Sequence, residues 1–289
     1  MLSADAKLKD LERRCLSMGK LAIAFSGGLD SRFLLHTARR AGMAVRALHI
    51  SGPHIPLRET EEARKWAETH GIPFTLVRAN PLQSPAIRAN GPERCYHCKH
   101  VAFSLLLAET QEGEVLCDGT NASDLSDYRP GLRALKELGV CSPLAKAGLC
   151  KADIQYLARQ SGMDRPEQKA RPCLLTRYEY GLEPTVSTLA ALDAAERQAE
   201  AFLSSESRSG TSPPFRLRLT REGPVLHIQS EEIVQEHKAV LDVLLMEHGF
   251  QGARVETVDQ ISGYFDRRSG FRENTRETCS ITSPHLKEK

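Results

Sequence analysis

The sequence predicts an α/β protein: a parallel, doubly wound sheet followed by a smaller α+β domain. Three observations lead there. An apolar run at residues 21–25 empties into a glycine- and serine-rich turn and then into residues with helical spacing. Strand-like and helix-like segments alternate from there to residue 77, the pattern of a parallel sheet with helices on both faces. From about residue 185 the pattern changes to a long helix, two closely spaced strands, a helix and a last strand. The expected boundaries are 1–184 for the first domain and 185–270 for the second. Residues 271–289 are polar and charged, with little to bury, and are expected as a disordered tail.

Taken in order, residues 4–18 carry a helical pattern, and Leu21-Ala22-Ile23-Ala24-Phe25 is the first strand. Phe33, Leu34, Leu35, Ala38 and Ala41 share one helical face that ends at Gly42. A strand at 45–50, a helix at 57–70 stopped by Gly71 and a strand at 73–77 complete a Rossmann-like βαβαβ unit. In such sheets ligands lie beyond the carboxyl ends of the strands. Residues 79–100 are polar and proline-punctuated as far as Cys95-Tyr96-His97-Cys98-Lys99, with a helix through Phe103, Leu106 and Leu107. A strand at 115–117 leads into the polar loop 118–124; helices follow at 131–138 and 151–161, then a loop with Pro172-Cys173. The second domain reads as a helix at 189–203, a Ser/Gly/Pro linker at 204–214, strands at 215–219 and 225–228, a helix at 233–248 and a strand at 254–258.

Composition narrows the function. A hydrophobic fraction of 40% is enough for a packed core. No run approaches the ~18 apolar residues of a membrane span, and the N-terminus lacks the apolar stretch of a secretory signal, so a cytoplasmic location is expected. A net charge of +2 gives little footprint for a nucleic-acid partner. In a reducing compartment eight cysteines stay thiols unless they bind metal or do chemistry.

The segment Ser26-Gly27-Gly28-Leu29-Asp30-Ser31, between strand and helix, is built to grip phosphate. Its glycines let the backbone turn with positive φ and approach a ligand with no Cβ in the way. Turn and first-helix N–H groups then converge where the helix dipole favours an anion. Ser26 and Ser31 add hydroxyls, and Asp30 can cap the helix or hold Mg²⁺. The loop is neither a Walker A motif nor a dinucleotide fingerprint. Arg32 and Lys99 are candidates to neutralise departing phosphate charge, or are solvated surface residues.

Cys95 and Cys98, two residues apart, read as a redox dithiol, half of a metal site or plain thiols. Cys173 has Lys169, Arg171 and Arg177 nearby in sequence, and cationic neighbours lower a thiol pKa. Cys15, Cys117, Cys141 and Cys150 read as small buried hydrophobes, and Cys279 as incidental to the tail.

The hexapeptide resembles the SGGxDS signature of the PP-loop ATP pyrophosphatases. With Arg94-Cys95-Tyr96-x-Cys98-Lys99, Asp118-Gly119-Thr120-Asn121, Asp127-Tyr128-Arg129-Pro130-Gly131, Ser142-Pro143-Leu144 and Pro172-Cys173-Leu174-x-x-Arg177, the chain resembles one branch in particular. That branch is the LarE family, sulfur transferases of nickel-pincer cofactor synthesis. The resemblance covers about residues 20–185; beyond it, Ala195-Glu196 and Arg216-x-Arg218 also match. It implies that ATP, with Mg²⁺, adenylates a carboxylate of a pyridinium mononucleotide, pyrophosphate leaves, and sulfur attacks the anhydride to give a thiocarboxylate. It implies ATP contacts at Ser26, Gly27, Gly28, Asp30 and Ser31, and substrate contacts at Arg177, Glu196, Arg216, Arg218 and Arg268. Arg216 and Arg218 alternate along a strand and face one side, and arginine suits phosphate and carboxylate. Glu196 is either a substrate or metal contact or a solvated helix glutamate.

Some members sacrifice the cysteine at the position of Cys173, whereas three-cysteine members resemble enzymes that carry sulfide on a [4Fe–4S] cluster. Cys95, Cys98 and Cys173 place this chain with the latter, as catalytic residues and cluster ligands. A homo-oligomer with a small-molecule substrate is expected. A tRNA-thiolating enzyme and a non-catalytic nucleotide- and metal-binding protein are the alternatives. The chain departs from the family where Gln229 replaces an acid and where Phe265-Asp266-Arg267 separates Gly263-Tyr264 from Arg268-Ser269-Gly270.

Overall fold

A computed structural model describes residues 2–270 except 127–129, 169–171 and 208–209. The expected disordered tail 271–289, with Cys279, lies outside the described residues, as do Asp127, Tyr128, Arg129, Lys169 and Arg171.

The first half contains α1 (Ala4–Met18), β1 (Lys20–Ala24), α2 (Leu29–Arg40), β2 (Val45–Ser51), α3 (Leu57–Thr69), β3 (Phe74–Arg78), α4 (Pro85–Arg88), α5 (Arg94–Ala108) and β4 (Glu114–Cys117). Then come α6 (Gly131–Glu137), α7 (Pro143–Lys146) and α8 (Lys151–Gln160). The four strands form one parallel sheet in the order β3-β2-β1-β4. β1 lies inside the sheet, which explains its apolar run from Leu21: Leu21 and Ile23 face one core and Ala22 faces the other. The first core takes Leu11 and Cys15 of α1, Phe33 and Leu34 of α2 and Trp66 of α3; the second takes Phe103 and Leu106 of α5 and Leu135 of α6. The parallel α/β fold expected from the alternation is therefore present.

Chain order reverses at β1, with β2 on one side and β4 on the other. The crevice at such a switch point, outside the carboxyl ends of the strands, is the standard ligand position. The loop 26–31 leaves β1 into this crevice, and Asp118-Gly119-Thr120 leaves β4 into the same place.

The second half holds α9 (Val186–Glu206), β5 (Phe215–Thr220), β6 (Gly223–Ile228), α10 (Glu231–Glu247), β7 (Arg254–Thr257) and α11 (Tyr264–Arg268). Its sheet has the order β5-β6-β7: an antiparallel hairpin, then a parallel pair with α10 as the crossover. Thr185 caps α9 by accepting the Thr188 N–H, and Ser230 does the same for α10 with Ile233. Packing crosses the expected boundary at 184. Leu174, Leu175 and Tyr178 lie in the core of the second sheet, and Tyr178 bridges to Leu219. Periodicity does not announce the short helices α4, α7 and α11, because about one turn is too little to show a period; α4 and α7 start with proline at their first position.

Candidate active site

Only one glycine of the phosphate loop uses positive φ. Gly27 has φ +74°, whereas Gly28 is extended (φ −73°, ψ 165°) and is the N-cap of α2. Gly27 needs its missing side chain for a second reason: a Cβ there would sit 3.1 Å from Ala63 Cβ. The serines lace the loop. Gly28 N–H donates to Ser26 Oγ at 3.2 Å, Ser31 Oγ donates to the Gly28 carbonyl at 3.1 Å, and the two hydroxyls are 3.2 Å apart. Behind them, a Cβ on Gly119 would fall 3.0 Å from the Ser31 nitrogen, so the β4 loop abuts the phosphate loop backbone to backbone.

Asp30 does not cap the helix. It lies in the first turn of α2, and both its oxygens accept from Lys151 Nζ, at 2.8 and 2.9 Å. Burial nevertheless raises its pKa, with Lys151 and Asn121 opposing that rise. Any Mg²⁺ drawn to Asp30 must compete with this ammonium. Lys151, at the start of α8, belongs to no motif in the sequence; its position beside the loop is a tertiary fact.

Arg32 corrects the expectation of a phosphate-neutralising or solvated residue. It is 0% exposed and donates to the carbonyls of Asp164 and Arg165, at 2.8 and 3.0 Å, and to Gln168. It also pairs with the Asp164 carboxylate at 3.0 Å. Arg32 therefore ties α2 to the segment following α8.

Two cavities meet at the crevice. The first, about 460 Å³, is lined by Ser26, Gly28, Asp30 and Ser31, by Asp118, Gly119 and Thr120, and by Cys95, Cys98 and Cys173. The second, about 520 Å³, is lined by Arg177, Arg216 and Arg218, with Tyr180, Tyr264 and Asp266. Arg94, Cys95, Lys99 and Thr120 line both, so they form the rim between the chambers. Gly131 makes room for that rim, since a Cβ there would lie 2.7 Å from Lys99 Cδ.

Cys95 and Cys98 sit near the start of α5 rather than ahead of the helix, and a spacing of three puts both thiols on one face. Cys173 comes to them across the chain on a turn (Leu174–Arg177) whose entry is fixed by the Leu174 N–H donating to the His54 carbonyl at 2.9 Å. Arg94 braces the assembly: buried, it donates to Asn90 Oδ1 and the Leu175 carbonyl, and its Nη2 is 3.6 Å from Cys95 Sγ. The activated Cys173 expected from cationic neighbours is not what the fold produces. Burial pushes its thiol up, and Arg94 and Arg177 only partly offset this. Burial likewise pushes Cys98 up to about 12. These two thiols are thus held protonated until something with positive charge approaches them.

Among the described residues, no three His, Cys, Asp or Glu side chains are gathered closely enough to hold a metal ion. The three cysteines nevertheless face one cavity, and thiols alone are the donor set of an iron–sulfur cluster, a larger guest than a single ion. On donor chemistry, the residues fit such a group.

The second chamber is strongly cationic. Arg177 forms a bidentate pair with Glu196, at 2.9 and 2.7 Å, and Glu196 also accepts the Leu217 N–H at 3.0 Å. Glu196 is thus not a solvated helix glutamate; it orients Arg177 from behind and is not part of the cavity lining. Burial opposes the charge on Arg177, but Glu196 outweighs it and raises the pKa. Arg216 and Arg218 form no such ion pair among the described residues. Burial, with Arg177 adding repulsion, lowers both to about 10. Arg216 Nε is buried and lacks a hydrogen-bond partner among the described residues. Arg218 donates to His227 Nδ1 at 2.6 Å and lies over the Tyr264 ring, 4.4 Å from its centroid. His227 therefore accepts at Nδ1 and carries its proton on Nε2, 3.5 Å from Glu256. Arg268 stands apart: it is exposed on α11 and donates to Tyr264 Oη at 3.0 Å without lining the cavity.

Tyr180, Tyr264 and Asp266, together with Arg94, are site residues that sequence reasoning does not nominate. Phe265-Asp266-Arg267 forms most of α11: Tyr180 Oη donates to Asp266 at 2.6 Å, and Phe265 is buried.

No family model matches the chain. It is 34% identical over 195 residues to an uncharacterised protein of Synechocystis, covering 66% of this chain and 73% of that one. It is 29% identical over 239 residues to an uncharacterised protein of Methanocaldococcus jannaschii, covering 81% and 88%. It is also 31% identical over 196 residues to the pyridinium-3,5-bisthiocarboxylic acid mononucleotide synthase of Lactiplantibacillus plantarum, covering 66% of this chain and 68% of that enzyme.

Proposed function

Because the chain belongs to the LarE family of PP-loop sulfur transferases, we propose that it adenylates a carboxylate of a pyridinium mononucleotide and converts it to a thiocarboxylate. One observation carries this reading: the phosphate loop and three cysteines line one chamber, which shares a rim with a chamber holding three arginines. Activation and sulfur delivery must both reach the same carbon, and the shared rim is where that carbon can lie.

ATP would sit with its phosphates against the N–H groups of Gly27, Gly28 and the first turn of α2. Arg177, Arg216 and Arg218 would hold the phosphate and the far carboxylate of the acceptor, so that the reacting carboxylate points at the rim. A carboxylate oxygen attacks the α-phosphorus and the bond to the β-phosphate oxygen breaks, releasing pyrophosphate. Lys99 and Arg94, on the rim, face the charge that develops there. A sulfur nucleophile then attacks the acyl carbon and AMP leaves. Cys95, Cys98 and Cys173 would hold a [4Fe–4S] cluster. Bound by only three protein thiolates, such a cluster leaves one iron open to carry a replaceable sulfide.

The test is anaerobic reconstitution with iron and sulfide, followed by ATP, Mg²⁺ and a pyridinium dicarboxylate mononucleotide. The expected products are AMP, pyrophosphate and a thiocarboxylate. AMP formation with tRNA alone would overturn the reading. A broad iron–sulfur absorption should be lost in Cys95→Ala; an unchanged spectrum removes the cluster, and loss of H₂S from Cys173 after turnover would show the sacrificial route instead.

A further inference from the structure

Outside the lining of both chambers, a second group of sulfurs lies at the end of β4. Cys117 and Cys141 are paired neighbours in a parallel bridge, fixed by the Asp118 N–H donating to the Cys141 carbonyl at 2.9 Å and the Cys141 N–H donating to the Leu116 carbonyl at 3.0 Å. Neighbouring strands lie ~4.8 Å apart, within the span of roughly 4.4–6.8 Å between the Cα atoms of a disulfide. Cys117 is fully buried, with Met18 Sδ 3.9 Å from its sulfur, whereas Cys141 is half-buried.

Cys141 is not the inert hydrophobe that its sequence context suggests. Lys146 Nζ donates to Cys141 Sγ at 3.3 Å from the exposed end of α7. Hydrogen bonding from Cys117, with Lys146 adding charge, holds the Cys141 thiol well below its ordinary range. The neighbouring Cys141 and burial push the Cys117 thiol up. The pair thus has the two parts of a redox couple: an accessible thiolate and a shielded thiol behind it.

We propose that Cys141 and Cys117 are a hydroperoxide-reactive dithiol that closes to an intramolecular disulfide. The Cys141 thiolate attacks one peroxide oxygen and the O–O bond breaks. The other oxygen leaves as water or an alcohol after taking a proton from solvent. The Cys117 sulfur then attacks the sulfenic sulfur, an S–S bond forms, and the hydroxyl departs as water with the Cys117 proton. Two thiols are oxidised and one hydroperoxide is reduced. The bond would form directly under the nucleotide chamber, because the next residue, Asp118, accepts from Ser142 Oγ at 2.6 Å and from Thr120, and Asp118 and Thr120 line that chamber.

The test treats the reduced full chain with hydrogen peroxide, quenches with an alkylating reagent and maps peptides. The expected result is a peptide pair joining 117 to 141, lighter by two hydrogens. In Cys117→Ser, Cys141 should be trapped as sulfenic acid by dimedone. Lys146→Met should slow alkylation of Cys141 at pH 7 by about threefold, because lost thiolate is partly offset by greater intrinsic nucleophilicity. Should Cys117→Ser not fold, Cys141→Ser serves, and it must leave Cys117 unmodified. Oxidation of Cys117 without Cys141, or both thiols remaining free while Cys95 or Cys173 oxidises, would overturn the proposal.

Discussion

Removing the Glu196 carboxylate should unfold the second chamber from behind. Arg177 and Glu196 have side chains 5% and 13% exposed, so solvent cannot replace a lost partner. Glu196→Ala strands two guanidinium N–H donors and the Leu217 N–H, while the remaining Arg177 bonds, to the carbonyls of Pro172 and Cys173 and to Thr176, cannot supply a countercharge. Breaking a buried pair by deleting one member costs about 3–5 kcal/mol. The orphaned peptide N–H adds about 1 kcal/mol. Against a total stability of roughly 5–15 kcal/mol, that is a large fraction. The assay is urea unfolding at constant m, read as the shift in midpoint. The double variant Arg177→Met/Glu196→Leu removes both charges together and should regain most of the loss, yet fail to bind an anionic acceptor. A Glu196→Ala midpoint within about 1 kcal/mol of the parent chain would refute this account of the pair.

Three other outcomes follow from the geometry. His54 and His227 are held by burial at about 4, below their ordinary value of 6.5, so the unfolded chain takes up protons that the folded chain refuses. Stability should therefore be full above pH 6.5 and fall by up to about 1.4 kcal/mol per pH unit per histidine as pH drops toward 4; burial lowers His36 and His49 as well, so His54→Gln should reduce, without abolishing, the slope of urea midpoints between pH 6.5 and 5. Gly119→Ala should cost about 1–3 kcal/mol and weaken nucleotide binding, since its Cβ presses on the Ser31 backbone; an unchanged affinity for a fluorescent ATP analogue would count against that contact. Lys151→Met should drive the Asp30 pKa further up, visible as a shifted carboxyl titration by carbon NMR, and a downward or absent shift would contradict the pairing.

What the sequence discloses is local. The apolar run of β1, the turn after it and the face of α2 are written in consecutive residues, and so is the thiol pair of α5. The site's long-range members are invisible there for a physical reason. Cys173 reaches Cys95 and Cys98 only because Leu174 and Leu175 are pulled into the core of the other sheet. Arg32 looks like a phosphate ligand because it follows the loop, yet the inner face of α2 turns it toward Asp164. Counting charges along the chain misjudges the Cys173 thiol because it leaves out desolvation, which prevails here. Position 141 errs in the opposite sense, since Lys146 comes within reach only through the turn of α7.

The shared rim has an evolutionary consequence. The residues that would grip ATP hang from the first sheet, and those that would grip the acceptor hang from β5, α11 and the turn before α9; one turn of α5 separates the two sets. Either set can therefore change without rebuilding the other. A lineage that remodelled the residues around Tyr264 and Asp266 would exchange its acceptor while inheriting its energy source intact. The segment 265–267, most of α11, is where such an architecture would tolerate an edit, and comparing acceptor range with and without it would measure how independent the halves are.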